Sequence, residues 1–144
     1  LTEGLKASDI ADRYTDRGMD WEVMGGMVAG MLDEFLTFVN PRKVLDTLMI
    51  CIRNLEEELQ INFSSSGLVR MLVHSACMVE RLITKAPISY PDTAHFIAQH
   101  SLEYSVLKKT IDALEQQFTV IVNDEELCHL IEIIKLEQKK PYAE

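Results

Sequence analysis

The chain is short of positive charge: 14 lysines and arginines stand against 23 acidic residues, a formal net charge of −9. A nucleic-acid-binding face neutralises phosphates with clustered basic groups, and no such face is predicted here. The same acidity opposes an anionic lipid surface. Long apolar runs are missing too, since the stretch Val23 to Leu32 stops at Asp33 and Glu34, far short of the roughly 20 residues a bilayer span needs. No contact with nucleic acid or membrane is expected of this domain. Cysteine is sparse and odd in number; Cys51, Cys77 and Cys128 contain no C-x-x-C pair. That excludes a disulfide framework and a zinc ribbon, and points to small buried hydrophobes in a reducing cytosol, hence a cytoplasmic protein. The four histidines offer no H-x-x-x-H spacing, and His95 and His100, five apart, do not share a helix face, so no metal is expected. Gly25, Gly26 and Gly30 resemble a phosphate loop only superficially, because Met31 and Leu32 stand where lysine and serine or threonine are required. They imply close approach of another helix instead, a possible dimer seam. No order or spacing nominates a Ser/His/Asp or Cys/His triad, so neither an enzyme nor a cofactor is expected.

What is present is helical periodicity. At 144 residues and 47% hydrophobic content the chain is large enough to bury one real core and too short for two. No stretch alternates strictly enough to argue for a strand, and the expectation is an all-α fold. Residues 1–18, polar apart from Ile10, Ala11 and Tyr14, read as a linker helix or arm from an upstream domain, and the absence of an initial methionine suggests a piece of a longer protein. Residues 19–140 form the compact domain and 141–144 a tail. Asp20 caps a helix to about Val39 with Met24, Met27, Val28, Met31, Leu32, Phe35 and Val39 as its apolar positions. Asn40-Pro41 is the best start signal in the chain, an N-cap followed by proline at the first helical position. It opens a helix in which Leu45, Leu48, Ile52, Leu55 and Leu59 step by three and four. A third helix spans about Ser65 to Lys85, and a long fourth one runs from the Pro91-Asp92 turn to about Gln117 along Ile97, His100, Tyr104, Leu107, Ile111, Leu114 and Phe118. After an extended link, Asn123 with Glu126 three residues on starts a fifth helix on which Leu127, Leu130, Ile131 and Ile134 face inward. Glu56 to Glu58 reads as a solvated face.

The third helix carries the most informative histidine. Arg70, His74, Cys77 and Arg81 fall on one stripe, beside a buried stripe of Leu68, Met71, Leu72, Ser75, Met78, Val79 and Leu82. His74 therefore lies at the edge of a core, partly desolvated, with guanidinium groups one to two turns away. Guanidinium is the side chain best shaped to hold a phosphoryl group, so His74 is the candidate for phosphorylation, with Arg70 and Arg81 as phosphate neighbours. Among the other histidines, His100 is expected to be buried on its stripe, His95 to lie near the surface, and His129 to have a packing or boundary role. A structural histidine that never reacts is the plain alternative.

Phe35-Leu36-Thr37-Phe38-Val39-Asn40-Pro41, Leu55-Glu56-Glu57-Glu58-Leu59, His74 with Glu80-Arg81-Leu82-Ile83, and Asn123-Asp124-Glu125-Glu126-Leu127 together resemble a PTS regulation domain. The likeness is to the C-terminal such domain of sigma-54-dependent activators of the levanase and mannose-operon type, over roughly Met19 to Lys139. The resemblance implies a compact bundle of five helices, cytoplasmic and usually dimeric, phosphorylated on histidine by phosphotransferase-system proteins to set transcription according to sugar supply. The family's first phosphorylatable histidine falls on His74, and its Glu-Arg pair on Glu80 and Arg81. Cys77 stands where many members carry phenylalanine. The second histidine of many members falls near Glu132 or Ile133 and is absent, with His129 one turn early, so His74 is the single expected site. The implied donor is an enzyme IIB-type component, with HPr as the other phosphocarrier. Two rival readings stay open: a histidine-phosphotransfer domain of two-component signalling, whose usual Lys-Gly after the histidine is replaced here by Cys77-Met78, and an unphosphorylated dimerisation bundle.

Overall fold

A computed structural model of the chain describes residues 21–139. The linker expected over residues 1–18, the Asp20 cap and the tail at 141–144 lie outside the described residues. Seven helical segments follow one another: α1 (Trp21–Phe35), α2 (Pro41–Leu59), α3 (Ser65–Thr84), α4 (Thr93–Gln99), α5 (Ser101–Thr110), α6 (Asp112–Phe118) and α7 (Asp124–Lys139). Every regular element among the described residues is helical, as the periodicity implies. The count of five is not what the structure shows, because the single fourth helix expected from the Pro91-Asp92 turn to about Gln117 is three segments. It breaks at His100, whose backbone leaves the helical region (φ −128°, ψ 44°), and again at Ile111. The buried stripe runs through the second break, since Leu107, Ile111 and Leu114 are all buried, whereas around the first Ile97, His100 and Tyr104 are only half-buried. Periodicity therefore identified the inward face but not the interruptions.

Local chemistry sets the remaining ends. Asn40 Oδ1 accepts from the Lys43 amide with Pro41 behind it, and Ser64 Oγ accepts from the Gly67 amide to start α3. Gln60 and Lys85 close α2 and α3 in the left-handed conformation, which returns an amide to an orphan carbonyl at each C-terminus. α1 stops at Phe35, short of Val39, because Glu80 of α3 takes the amides of Thr37 and Phe38 at 2.8 and 3.1 Å.

α2, α3, α7 and α5 contact one another in a closed ring, with α1 laid across α2 and α3, α6 against α2 and α4 against α7. Leu45, Leu48, Ile52, Leu55, Leu68, Leu72, Leu107 and Ile134 fill the centre. Two of the buried carboxylates tie loops to this core. Glu56 is 1% exposed and accepts from the Phe63 amide, so Glu56 to Glu58 is not one solvated face. Glu137, also buried, accepts from the backbone and hydroxyl of Ser64, joining the last helix to the start of α3. Each carboxylate supplies acceptors to loop amides that packing has removed from water.

The apolar positions of α1 divide into two faces. Met24, Val28 and Leu32 are buried, whereas Val23, Met27, Met31, Phe35 and, in the following loop, Phe38 are exposed. Gly26 and Gly30 have no atom in their way, so their backbone is open to an approaching surface.

Candidate phosphoacceptor site

His74 sits two and a half turns into α3, with its neighbours Ser75, Ala76, Leu72 and Met78 buried and His74 itself half-buried. One edge of the ring is inside: Nε2 is screened from solvent and has no hydrogen-bond partner among the described residues. Burial pulls its pKa below the ordinary 6.5, the positive charge of Arg81 acts in the same direction and that of His129 adds to it, while Glu126 opposes them. The net result is an imidazole held neutral at pH 7, with a lone pair on one nitrogen. A neutral ring is the form that can attack phosphorus.

Arg81 reaches the site already paired. Its Nε and Nη2 donate to the two carboxylate oxygens of Glu126 at 2.9 and 2.8 Å. Glu126 is buried on the first turn of α7, and its own amide donates to Asn123 Oδ1. Asn123 thus caps α7 as the sequence implies, but the Glu126 side chain crosses to α3 instead of returning to the cap. Hydrogen bonding to Glu126 holds the Arg81 guanidinium well up, against the effect of its partial burial. The fork geometry and the buried acceptor make this a charge-assisted link between α3 and α7. Arg70, one turn before His74, is exposed and makes no hydrogen bond or ion pair among the described residues. Of the two arginines expected beside a phosphate, then, one is neutralised within the core edge and the other extends into solvent. Glu80, paired with Arg81 in the family motif, is spent on the α1–α2 loop.

The nearest aromatic partner of His74 comes from α7. The ring of His129 lies 5.9 Å from it, centroid to centroid, at 39°. His129 is itself fixed: Nε2 is 3.1 Å from the Ser89 carbonyl, and the edge of Tyr90 meets its ring at 5.0 Å. Tyr90 donates its hydroxyl to Glu132 at 2.6 Å and contacts Phe96, which in turn packs on His100 at 4.5 Å. The sequence places His129 beside an inner face and assigns it packing; the structure brings it to the phosphoacceptor candidate. Its register next to Leu130 and Ile131 is the only signal it leaves in the sequence, because which helix faces α7 is not written in α7. His100 is half-buried at the α4–α5 break, and His95 is exposed. No group of three or more metal-binding side chains occurs among the described residues. Cys51 and Cys128 are buried thiols whose pKa burial pushes up to about 11, and half-buried Cys77 follows His74 by one turn. The two buried thiols are unreactive small hydrophobes of the kind the spacing implies.

The sequence model of the PRD domain matches residues 50–136, more than half of the chain and all of the cluster around His74. The chain belongs to the PRD domain family. Over 95 residues the PRD domain is 26% identical to the transcriptional regulatory protein LevR of Bacillus subtilis (strain 168), a stretch that is 66% of this chain and 10% of that protein. The chain thus spans a small part of the relative it matches. No solved structure matches significantly. In the PRD domain the matched residues begin within α2 and end near the close of α7, so His74, Arg81, Glu126 and His129 lie inside the family region and α1 precedes it. No helix among the described residues is long and apolar enough to cross a membrane.

Proposed function

We propose that this PRD domain is the phospho-accepting regulatory module of a bacterial transcriptional regulator of the sigma-54-activator kind, switched by phosphorylation of His74 according to sugar supply. The observation that supports this most directly is the state of His74: neutral, half-buried, with one nitrogen screened and unpartnered, and with Arg81 and His129 beside it. The donor is a phosphotransferase-system phosphocarrier, an enzyme IIB-type component in the first place and HPr in the second. In the transfer, a ring nitrogen of His74 forms a bond to phosphorus as the donor's own bond to phosphorus breaks, the electron pair staying on the donor. The product adds close to two negative charges and three acceptor oxygens on a helix whose Arg81 is tied to α7. A charge of that size competes with Glu126 for Arg81 and attracts Arg70, so the α3–α7 contact is the element the modification biases. Its role is regulatory, not catalytic.

Dimerisation belongs to the same reading. Val23, Met27, Met31 and Phe35 form an exposed apolar ridge on α1, with Gly26 and Gly30 open between them, and a second copy is its proposed partner in a cytoplasmic homodimer. The deciding experiment is incubation of the chain with enzyme I, HPr and individual IIB proteins under labelled phosphoenolpyruvate, followed by mapping. Label on His74, lost in His74→Ala, is the expected result. Label retained by His74→Ala at an undiminished level refutes the assignment.

A further inference from the structure

We infer that His129 is the positioning residue for a phosphoryl group on His74: it takes up a second ring proton when the group arrives and donates a hydrogen bond to it. This rests on His74 being the acceptor. The geometry singles out His129 over the two arginines. Arg81 gives Nε and Nη2 to the buried carboxylate of Glu126, so its charge is already compensated and those two nitrogens cannot turn to a phosphate without stranding that carboxylate. Arg70 is exposed, where a charge pair is screened and contributes little. His129 is in ring contact with His74 at 5.9 Å, close enough for a group carried by one ring to meet the other.

The contact to Ser89 decides the tautomer. A backbone carbonyl only accepts, so His129 Nε2 carries the hydrogen in the 3.1 Å bond. In the neutral ring Nδ1 is then the nitrogen with the lone pair, and it is the one that can gain a proton. Tyr90 against the ring and the Tyr90–Glu132 hydrogen bond keep the imidazole from turning away. The charged and titratable groups around it are His74 and Arg81 from α3, Tyr90 from the α3–α4 turn, His100 behind Phe96 from α4, and Glu126 and Glu132 on α7. From α5, Tyr104 is occupied by Asp124, and Glu103 by Lys135 and Gln138. Of these, only Arg81 and the two other histidines, when protonated, oppose a positive charge on His129, and His100 stands off behind Phe96. Arg81 is already compensated, and phosphorylation replaces any positive charge at His74 with a negative one. The arriving group thus removes the obstacle to protonation and supplies its counter-charge together.

Proton uptake on phosphorylation makes the transfer equilibrium favour the phosphorylated domain more strongly as pH falls. The test uses two readouts on the whole chain. The first is ¹⁵N NMR of the histidine rings before and after phosphorylation with phosphoramidate, a donor independent of any protein. The expected result is that the His129 titration midpoint moves up by at least one pH unit while that of His95 stays in place. The second is the equilibrium extent of transfer from whichever phosphocarrier labels His74, for the wild type and His129→Asn, between pH 6 and 8. The ratio of the two cancels the donor's own pH dependence. It should favour the wild type about fivefold more at pH 6 than at pH 8, and His129→Lys should restore the extent of transfer without the pH slope. A His129 midpoint that does not move, or a ratio that is flat with pH, overturns the inference while leaving His74 as the acceptor. Failure of both phosphoramidate and the phosphocarriers to modify His74 overturns it together with the functional proposal.

Discussion

Replacing Arg81 by methionine tests the link between α3 and α7 most sharply. The substitution keeps most of the apolar stem and removes both donors to Glu126. Glu126 is 1% exposed on its side chain and Arg81 26%, so the carboxylate left behind is buried and the space vacated is partly open to water. Breaking a buried pair from one side costs about 3–5 kcal/mol, chiefly as the penalty on the stranded charge. Water entering beside the exposed part of the arginine moves the expected loss to the lower end, about 3 kcal/mol. Removing the other charge as well, in Arg81→Met with Glu126→Leu, should return stability to within about 1 kcal/mol of wild type, because the desolvation penalty disappears with the pair. Urea denaturation followed by far-ultraviolet circular dichroism measures all members of the cycle at constant pH. A second readout comes from His74. Arg81 lowers its pKa and Glu126 raises it, so Arg81→Met should move the His74 midpoint upward and Glu126→Gln should move it downward. A single variant Arg81→Met within 0.5 kcal/mol of wild type, with the His74 midpoint unmoved, would show that the pair neither joins the helices nor tunes the histidine.

Three further outcomes follow from the structure. A Cβ on Gly67 would collide with the Glu137 carboxylate, which is held by Ser64, so Gly67→Ala should lose about 1–3 kcal/mol in denaturant melts despite the better helix propensity of alanine. His74 has a pKa below its unfolded 6.5, so as pH drops below 6.5 the unfolded chain binds a proton that the folded chain refuses. Stability falls through that window towards the lower folded value, and His74→Gln should remove this part of the slope, as read from urea midpoints against pH. On the exposed ridge of α1, Met27→Lys with Met31→Glu should shift sedimentation from dimer to monomer without loss of helix content; a wild type that is monomeric at high concentration would remove the ridge as the dimer surface.

Much of the fold was legible in local chemistry. Asn40-Pro41 and Asn123 announce where α2 and α7 begin because capping depends on residues within one turn. The inward stripe of Leu107, Ile111 and Leu114 was legible in the helical period, whereas the breaks at His100 and Ile111 were not, since neither is marked by a glycine or proline. α1 shows the complementary limit. Its apolar residues fill more than one face, and only packing decided that Met24, Val28 and Leu32 turn inward while Met27, Met31 and Phe35 stay outside.

At the candidate site, the sequence alone determined that His74 lies at a core edge on a helix, in line with Arg70 and Arg81, because a period of 3.6 residues places them there whatever surrounds the helix. It also determined the acidic balance and the lack of any metal-binding spacing. The tertiary structure decided what those residues are free to do. Arg81 is engaged by a carboxylate 45 positions away, and His129, from the same last helix, lies against His74. Both facts depend on the register at which α7 docks on α3, and that register is set by how two buried faces interlock. No residue spacing within either helix carries it.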